Sequence, residues 1–191
     1  PENPHVLGEL KIPGYSDYLH PYDENHLIGI GKDTAGGSEF FSWFQGIKLA
    51  IFDVTDVTNP IELHKEVIGH RGSDSIALRD PKSFLFSLEK NLFVIPVRVH
   101  EFKDKPQYPS AYAPLTFQGV YVYDLSLENG FQLQGMISHN DPDPDNEEEY
   151  LLQNRLIKRS LYIENGLYTL SDTRMLINDL DNLDLLNQII Y

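Results

Sequence analysis

Four groups of side chains in this 191-residue chain sit at spacings that chemistry could use. The densest is acidic: Asp141, Asp143 and Asp145 alternate with Pro142 and Pro144 and run into Glu147, Glu148 and Glu149. Carboxylates at alternating positions can wrap oxygen ligands around Ca²⁺, so Asp141, Asp143, Asp145 and Glu147 are the candidate metal ligands. The stretch is not an EF-hand loop, because Asn146 stands where the glycine belongs and Leu152 where the bidentate glutamate belongs. Solvated like charges account for it without any ion, and the expectation is no cofactor, with Ca²⁺ as the alternative.

The second group is histidine. His70, His100 and His139 each border a long connection, and convergence there would supply general bases for a hydrolase or lyase. No HExxH or H-x-H spacing links any of the seven histidines, so isolated, hydrogen-bonded imidazoles are expected instead. Phe40, Phe41, Trp43 and Phe44 follow Gly36-Gly37 and form the third group, either a platform for a glycan or protein partner or rings packed under a loop. Tyr108 and Tyr112 lie among Pro106, Pro109 and Pro114, a density that makes a stiff extended binding strand or a structural brace. There is no G-x-S-x-G nucleophile elbow.

The balance of the chain narrows its partners. A net charge of −14 argues against nucleic acid and against anionic membrane surfaces, and leaves protein or glycan partners open. The absence of cysteine excludes disulfides and thiolate chemistry. No run approaches the roughly 20 apolar residues of a membrane helix, so no insertion is expected. The chain opens at Pro1 and reads as part of a longer protein.

The elements that must position these groups are strands. Val6–Ile12, Ile47–Phe52 and Val120–Tyr123 alternate with period two, the mark of a half-buried sheet. Three stretches then repeat one pattern: a polar turn and apolar strand at Glu24–Ile30, Glu89–Ile95 and Glu164–Leu170. A second strand follows each and ends in Asp53-Val54, Asp124-Leu125 or Asp179-Leu180, and two of these begin with Phe44-Gln45-Gly46 or Phe117-Gln118-Gly119. Asn165-Gly166 predicts a tight hairpin turn. A short helix is open over Glu147–Ile157, where leucines take helical spacing. Four antiparallel strands per unit, repeated, is the blade of a β-propeller. The expected fold is all-β: a partial β-propeller of about three four-stranded antiparallel blades in one domain over 1–191. A leading strand at 5–12 precedes blades at 15–68, 75–138 and 155–191. In the second blade the innermost strand is expected at Ser75–Leu78 with Phe84–Ser87.

Gly8–Asp23, Leu27–Gly31 and Phe52–Pro60 resemble secreted archaeal and bacterial proteins that carry a C-terminal β-propeller domain distantly related to WD40 repeats. Arg159–Ile163 resembles the start of that family's final blade. The resemblance implies a secreted or extracytoplasmic propeller and brings no catalytic residues with it. Loops 32–43, 69–75, 100–116 and 139–154 fall on one face of such an array, and long loops on a rigid scaffold carry binding residues. The expected function is a non-enzymatic extracytoplasmic binding module that uses this face; the alternative is a hydrolase or lyase sited among the same loops. Three blades leave open edges, so self-association through them is expected as well.

Overall fold

Twelve strands form three separate four-stranded antiparallel sheets, each a simple meander, in a computed structural model that describes residues 5–38, 41–104, 106–140 and 153–191. Blade 1 comprises β1 (Tyr15–Pro21), β2 (His26–Ser38), β3 (Phe41–Asp53) and β4 (Ile61–Ile68). Blade 2 comprises β5 (Leu85–Ser87), β6 (Leu92–His100), β7 (Leu115–Ser126) and β8 (Gly130–Ile137). Blade 3 comprises β9 (Arg159–Ile163), β10 (Gly166–Leu170), β11 (Arg174–Asp179) and β12 (Leu185–Ile190). Helix is confined, among the described residues, to three-residue 3₁₀ turns, and no helix is long and apolar enough to cross a membrane.

The repeat has a backbone signature. The amides of Val54, Leu125 and Leu180 donate to the carbonyls of Asn25, Asn91 and Asn165 at 2.8, 2.7 and 2.9 Å. Each blade thereby closes the end of its third strand on the turn that enters its second. The strand-end aspartates are aligned in register: Asp53 faces His26, Asp124 faces Leu92 and Asp179 faces Gly166. Blade 2 carries one more residue between Glu and Asn than the others, so Phe93, not Leu92, takes the place of Leu27 and Leu167.

That register decides what each side buries. Ile28, Ile30, Ile47, Leu49 and Ile51 of blade 1 meet Phe93, Ile95, Tyr123, Leu125 and Phe131 of blade 2 in one core. The other side of blade 2, through Leu92, Val94, Val120, Val122 and Ile137, packs on Leu167 and Leu176 of blade 3. Each such side chain, fully buried, contributes roughly 1.5–3 kcal/mol. The recurring Phe-Gln-Gly also has a steric cause. A Cβ at Gly46 would collide with the Ile68 and Gly69 carbonyls, and one at Gly119 with the Ile137 carbonyl. The end of each outermost strand crosses there, and only glycine leaves room.

Three expectations are corrected, and a fourth falls mostly outside the described residues. Residues 5–12 form no strand: Val6 and Leu7 are 82% and 57% exposed and no neighbouring strand pairs with them. The chain instead runs past blade 1, fastened where Lys48 Nζ donates to the Pro13 carbonyl at 3.0 Å. Ser75–Leu78 is not strand either. Ser75 caps a 3₁₀ turn by accepting from Ala77 N, Asp80 caps the next by accepting from Lys82 N, and the innermost strand shrinks to Leu85–Ser87. The hairpin turn of blade 3 is Glu164-Asn165 with positive φ at Glu164, because Ile163 already pairs with Gly166. Of the candidate helix at 147–157, residues 147–152 lie outside the described residues, and Gln153–Arg155 is a single 3₁₀ turn.

Candidate functional site

The segment 32–43 is less a loop than a hairpin. β2 and β3 stay paired from His26↔Asp53 out to Ser38↔Phe41, with register shifts after Lys32 and Ala35. This arm carries Trp43 and Phe41, edge to face with centroids 4.7 Å apart, beyond the body of blade 1. On the opposite side of the same strand Phe44 packs edge-on against Tyr15 at 5.5 Å.

Arg71 sits at the centre. It lies in the β4-to-β5 connection, and its guanidinium carbon is 4.5 Å from the Trp43 ring and 4.3 Å from the Tyr112 ring. Its Nη2 also donates to the Tyr112 hydroxyl at 3.1 Å. One cation thus stacks between rings from two other segments, the β2–β3 arm and the β6–β7 loop. Stacking of this kind is worth about 0.5–2 kcal/mol per ring, and a planar guanidinium suits it better than an ammonium would.

Backbone bonds complete the mesh. Ala113 N donates to the Arg71 carbonyl at 3.0 Å, and Gln45 Nε2 reaches the Pro109 carbonyl at 2.9 Å. The His70 amide donates to the His100 carbonyl at 2.7 Å, and the Ser73 hydroxyl both donates to that carbonyl and accepts from the His100 amide. The β6–β7 loop with its prolines is therefore a brace between blades 1 and 2. Around a cleft of about 300 Å³ lie Lys32, Gln45, Arg71, Asp74 and Tyr112. Lys32 donates to the Ser73 carbonyl and lies 3.6 Å from Asp74, which pairs with Arg79 at 2.6 Å. Burial raises the Asp74 carboxyl, but the Arg79 hydrogen bond and the Lys32 charge outweigh it and hold the group below its usual range. Burial in turn lowers the Lys32 ammonium, with Asp74 opposing.

The three candidate bases do not assemble. His100 donates from Nδ1 to the Ala113 carbonyl at 2.7 Å, and His70 stacks edge-on to Phe102 at 5.6 Å. His139, fully buried, is held by Ser171 Oγ at Nδ1 and Thr169 Oγ1 at Nε2, both at 2.9 Å. Ser171 directs its own proton to the Arg174 carbonyl, which leaves Nδ1–H of His139 as the donor and Nε2 as the acceptor. Burial pushes this imidazole down to about 4, with Arg174 and Arg155 adding to the effect. Among the described residues no carboxylate bonds any of the three. Neither do the described residues contain a group of His, Asp and Glu that could hold a metal. Asp141, Asp143, Asp145, Glu147 and Phe40 lie outside the described residues.

Aromatic rings stay open to solvent on this face beside the exposed Glu101, Lys103, Asp104, Gln107 and Ser110. Tyr108 and Tyr112 are 60% and 69% exposed and Phe41 is half exposed. These rings carry a signal in the sequence, whereas the site roles of Arg71, Gln45 and the Lys32–Asp74–Arg79 chain do not. The nearest approach to one is at Arg71, which stands between Gly69 and Gly72 beside His70, a cation bordered by turn glycines near two aromatic loops.

Residues 1–183 match the family described as Beta propeller domain. The chain belongs to that family. It is 32% identical over 99% of its length to an uncharacterized protein of Methanocaldococcus jannaschii, and 30% identical over 65% of its length to an uncharacterized protein of Archaeoglobus fulgidus. The chain spans 23% and 19% of those two proteins. No solved structure matches it.

Proposed function

We propose that this propeller segment is a non-catalytic binding module that works outside the cytoplasmic membrane and engages a protein or glycan partner through its long-loop face. The observation that carries the reading is Arg71 clamped between Trp43 and Tyr112. The clamp leaves the rings of Phe41, Tyr108 and Tyr112 exposed on a support already held in place, so little ordering entropy opposes their use in binding. The extracytoplasmic setting rests on the resemblance to secreted propeller proteins, and the charge of −14 disfavours nucleic acid as the partner. The hydrolase or lyase alternative loses ground because His70, His100 and His139 are each engaged separately.

The test is surface plasmon resonance of the immobilised chain against cell-envelope protein and glycan fractions. A Tyr108→Ala/Tyr112→Ala variant is expected to lose at least about tenfold in affinity, the effect of 1.4 kcal/mol at an aromatic hot spot. Tyr191→Ala, in blade 3 just past the end of β12, is the control. Equal loss in both variants, or in neither, would refute the assignment of this face. Protease accessibility of the full-length protein on intact cells tests the setting separately.

A further inference from the structure

A cleft of about 350 Å³ opens between blade 2 and the segment that leads into blade 3. Its walls come from β6, β7, the 3₁₀ turn after Ser75 and residues 153–158. All of these lie inside the array, so the cleft does not depend on where the chain begins or ends. Three basic side chains, Arg79, Arg98 and Lys158, line it beside the acidic Asp74, in a chain of net charge −14.

Two of the three cations are already paired. Arg79 forks onto Asp74 at 2.6 and 3.3 Å, and Lys158 Nζ reaches both carboxylate oxygens of Asp172 at 2.7 Å. Arg98 has no such partner. Its Nε is shut off from solvent with no acceptor, and among the described residues its guanidinium meets no carboxylate, carbonyl or ring. Guanidinium groups keep their charge when buried, and a partly buried one without an acceptor carries a desolvation cost that the fold does not offset.

Strand register aims this side chain. Val97 and Val99 pack on the blade 1 side of β6, whereas Val94 packs on the blade 3 side. Arg98, in step with Val94, therefore faces blade 3. Its backbone is fixed as well: Arg98 N donates to the Asp74 carbonyl at 2.8 Å, and Asp74 N returns the bond at 2.9 Å. Beside the guanidinium the wall is apolar, through Ile76, Pro96 and Ile157.

We propose that Arg98 anchors a small-molecule site that takes a carboxylate joined to a compact apolar body. The carboxylate accepts two N–H bonds from the guanidinium, a planar fork on a planar group. The body lies against Ile76, Pro96 and Ile157, and the volume sits at the small end of the roughly 300–1,000 Å³ of ligand pockets. Arg79 and Lys158 border the site with their charges already answered by Asp74 and Asp172, which leaves the anion to Arg98. The site shares only Asp74 with the cleft beside Arg71 and does not rest on the aromatic face.

Saturation-transfer NMR of benzoate with the full-length protein is expected to show transfer to the ligand. Benzyl alcohol, the same body without the charge, is expected to show none. Arg98→Gln is expected to bind benzoate at least about tenfold more weakly, with an unchanged melting temperature, because the fold makes no use of the guanidinium. Arg98→Lys keeps the charge without the fork and is expected to fall in between. Absence of transfer in the wild type, or equal transfer in wild type and Arg98→Gln, would overturn the proposal. So would inorganic phosphate that displaces benzoate at lower concentration than acetate does, since the site would then select a phosphoryl group. A lower melting temperature in Arg98→Gln would make the guanidinium part of the framework and overturn it too.

Discussion

His139 shows how a residue that looks catalytic can be structural. Its imidazole is fully buried, engaged at both nitrogens, and lowered from 6.5 to about 4 by burial first and by Arg174 and Arg155 second. A histidine with a depressed folded value binds fewer protons folded than unfolded. Its stabilisation is complete above the unfolded value of 6.5 and is lost as pH falls toward about 4. Urea unfolding is therefore expected to show a loss of roughly 2–3 kcal/mol from this group between those limits. His139→Gln is expected to be less stable at neutral pH but flatter across the window; an unchanged pH slope in the variant would mean the group does not titrate as described. The paired glycines make a second residue-scale case. Gly119→Ala must displace the Ile137 carbonyl and is expected to cost roughly 1–3 kcal/mol by overpacking, read as a shift in the urea midpoint. A neutral result would show that the outermost strand can move away.

The elements that repeat were legible in the sequence, and the ones that depart from the repeat were not. The recurring turns placed the start of β2, β6 and β10, and the Asp-aliphatic pairs the end of β3, β7 and β11, within a residue or two, because each of these strands buries one side on a neighbour. The same alternation over residues 5–12 misled, since pattern records the capacity to pair and not the presence of an edge. Ser75–Leu78 misled for the opposite reason: two side-chain caps outcompete a strand that has almost no room to pair. The β2–β3 arm was hidden because Lys32–Gly36 carries no alternation; its backbone pairing, not side-chain burial, keeps it extended. Of the site, the rings were visible and the cation that organises them was not, because Arg71 is 28 residues from Trp43 and 41 from Tyr112 along the chain. Removing it tests the brace. In Arg71→Ala the amides of Glu101 and Ala113, bonded to Pro114 and Arg71 carbonyls, are expected to exchange with solvent faster, with a stability loss of about 1–2 kcal/mol. Unchanged exchange there would mean the loop holds itself.

Among the described residues the molecule is three blades with two cores between them, and the chain carries a charge of −14. Those features oppose one another. Apolar burial in the cores favours the compact state, while the excess negative charge repels itself within it. Stability is therefore expected to rise as ionic strength increases from about 0.01 to 0.1 M, where the screening length falls from about 30 to 10 Å. The urea midpoint across that series reads it directly, and a midpoint that falls with salt would point to ion pairs as the larger effect.

Three separate segments are gathered by one guanidinium into a single face. Proton NMR of Arg71 reports on it directly. Stacked at 4.5 and 4.3 Å from two rings, its side-chain protons are expected to shift upfield and to show Overhauser contacts to both Trp43 and Tyr112. Random-coil shifts with contacts to neither ring would contradict the account, because the aromatic loops would then share a face of the propeller without forming a site.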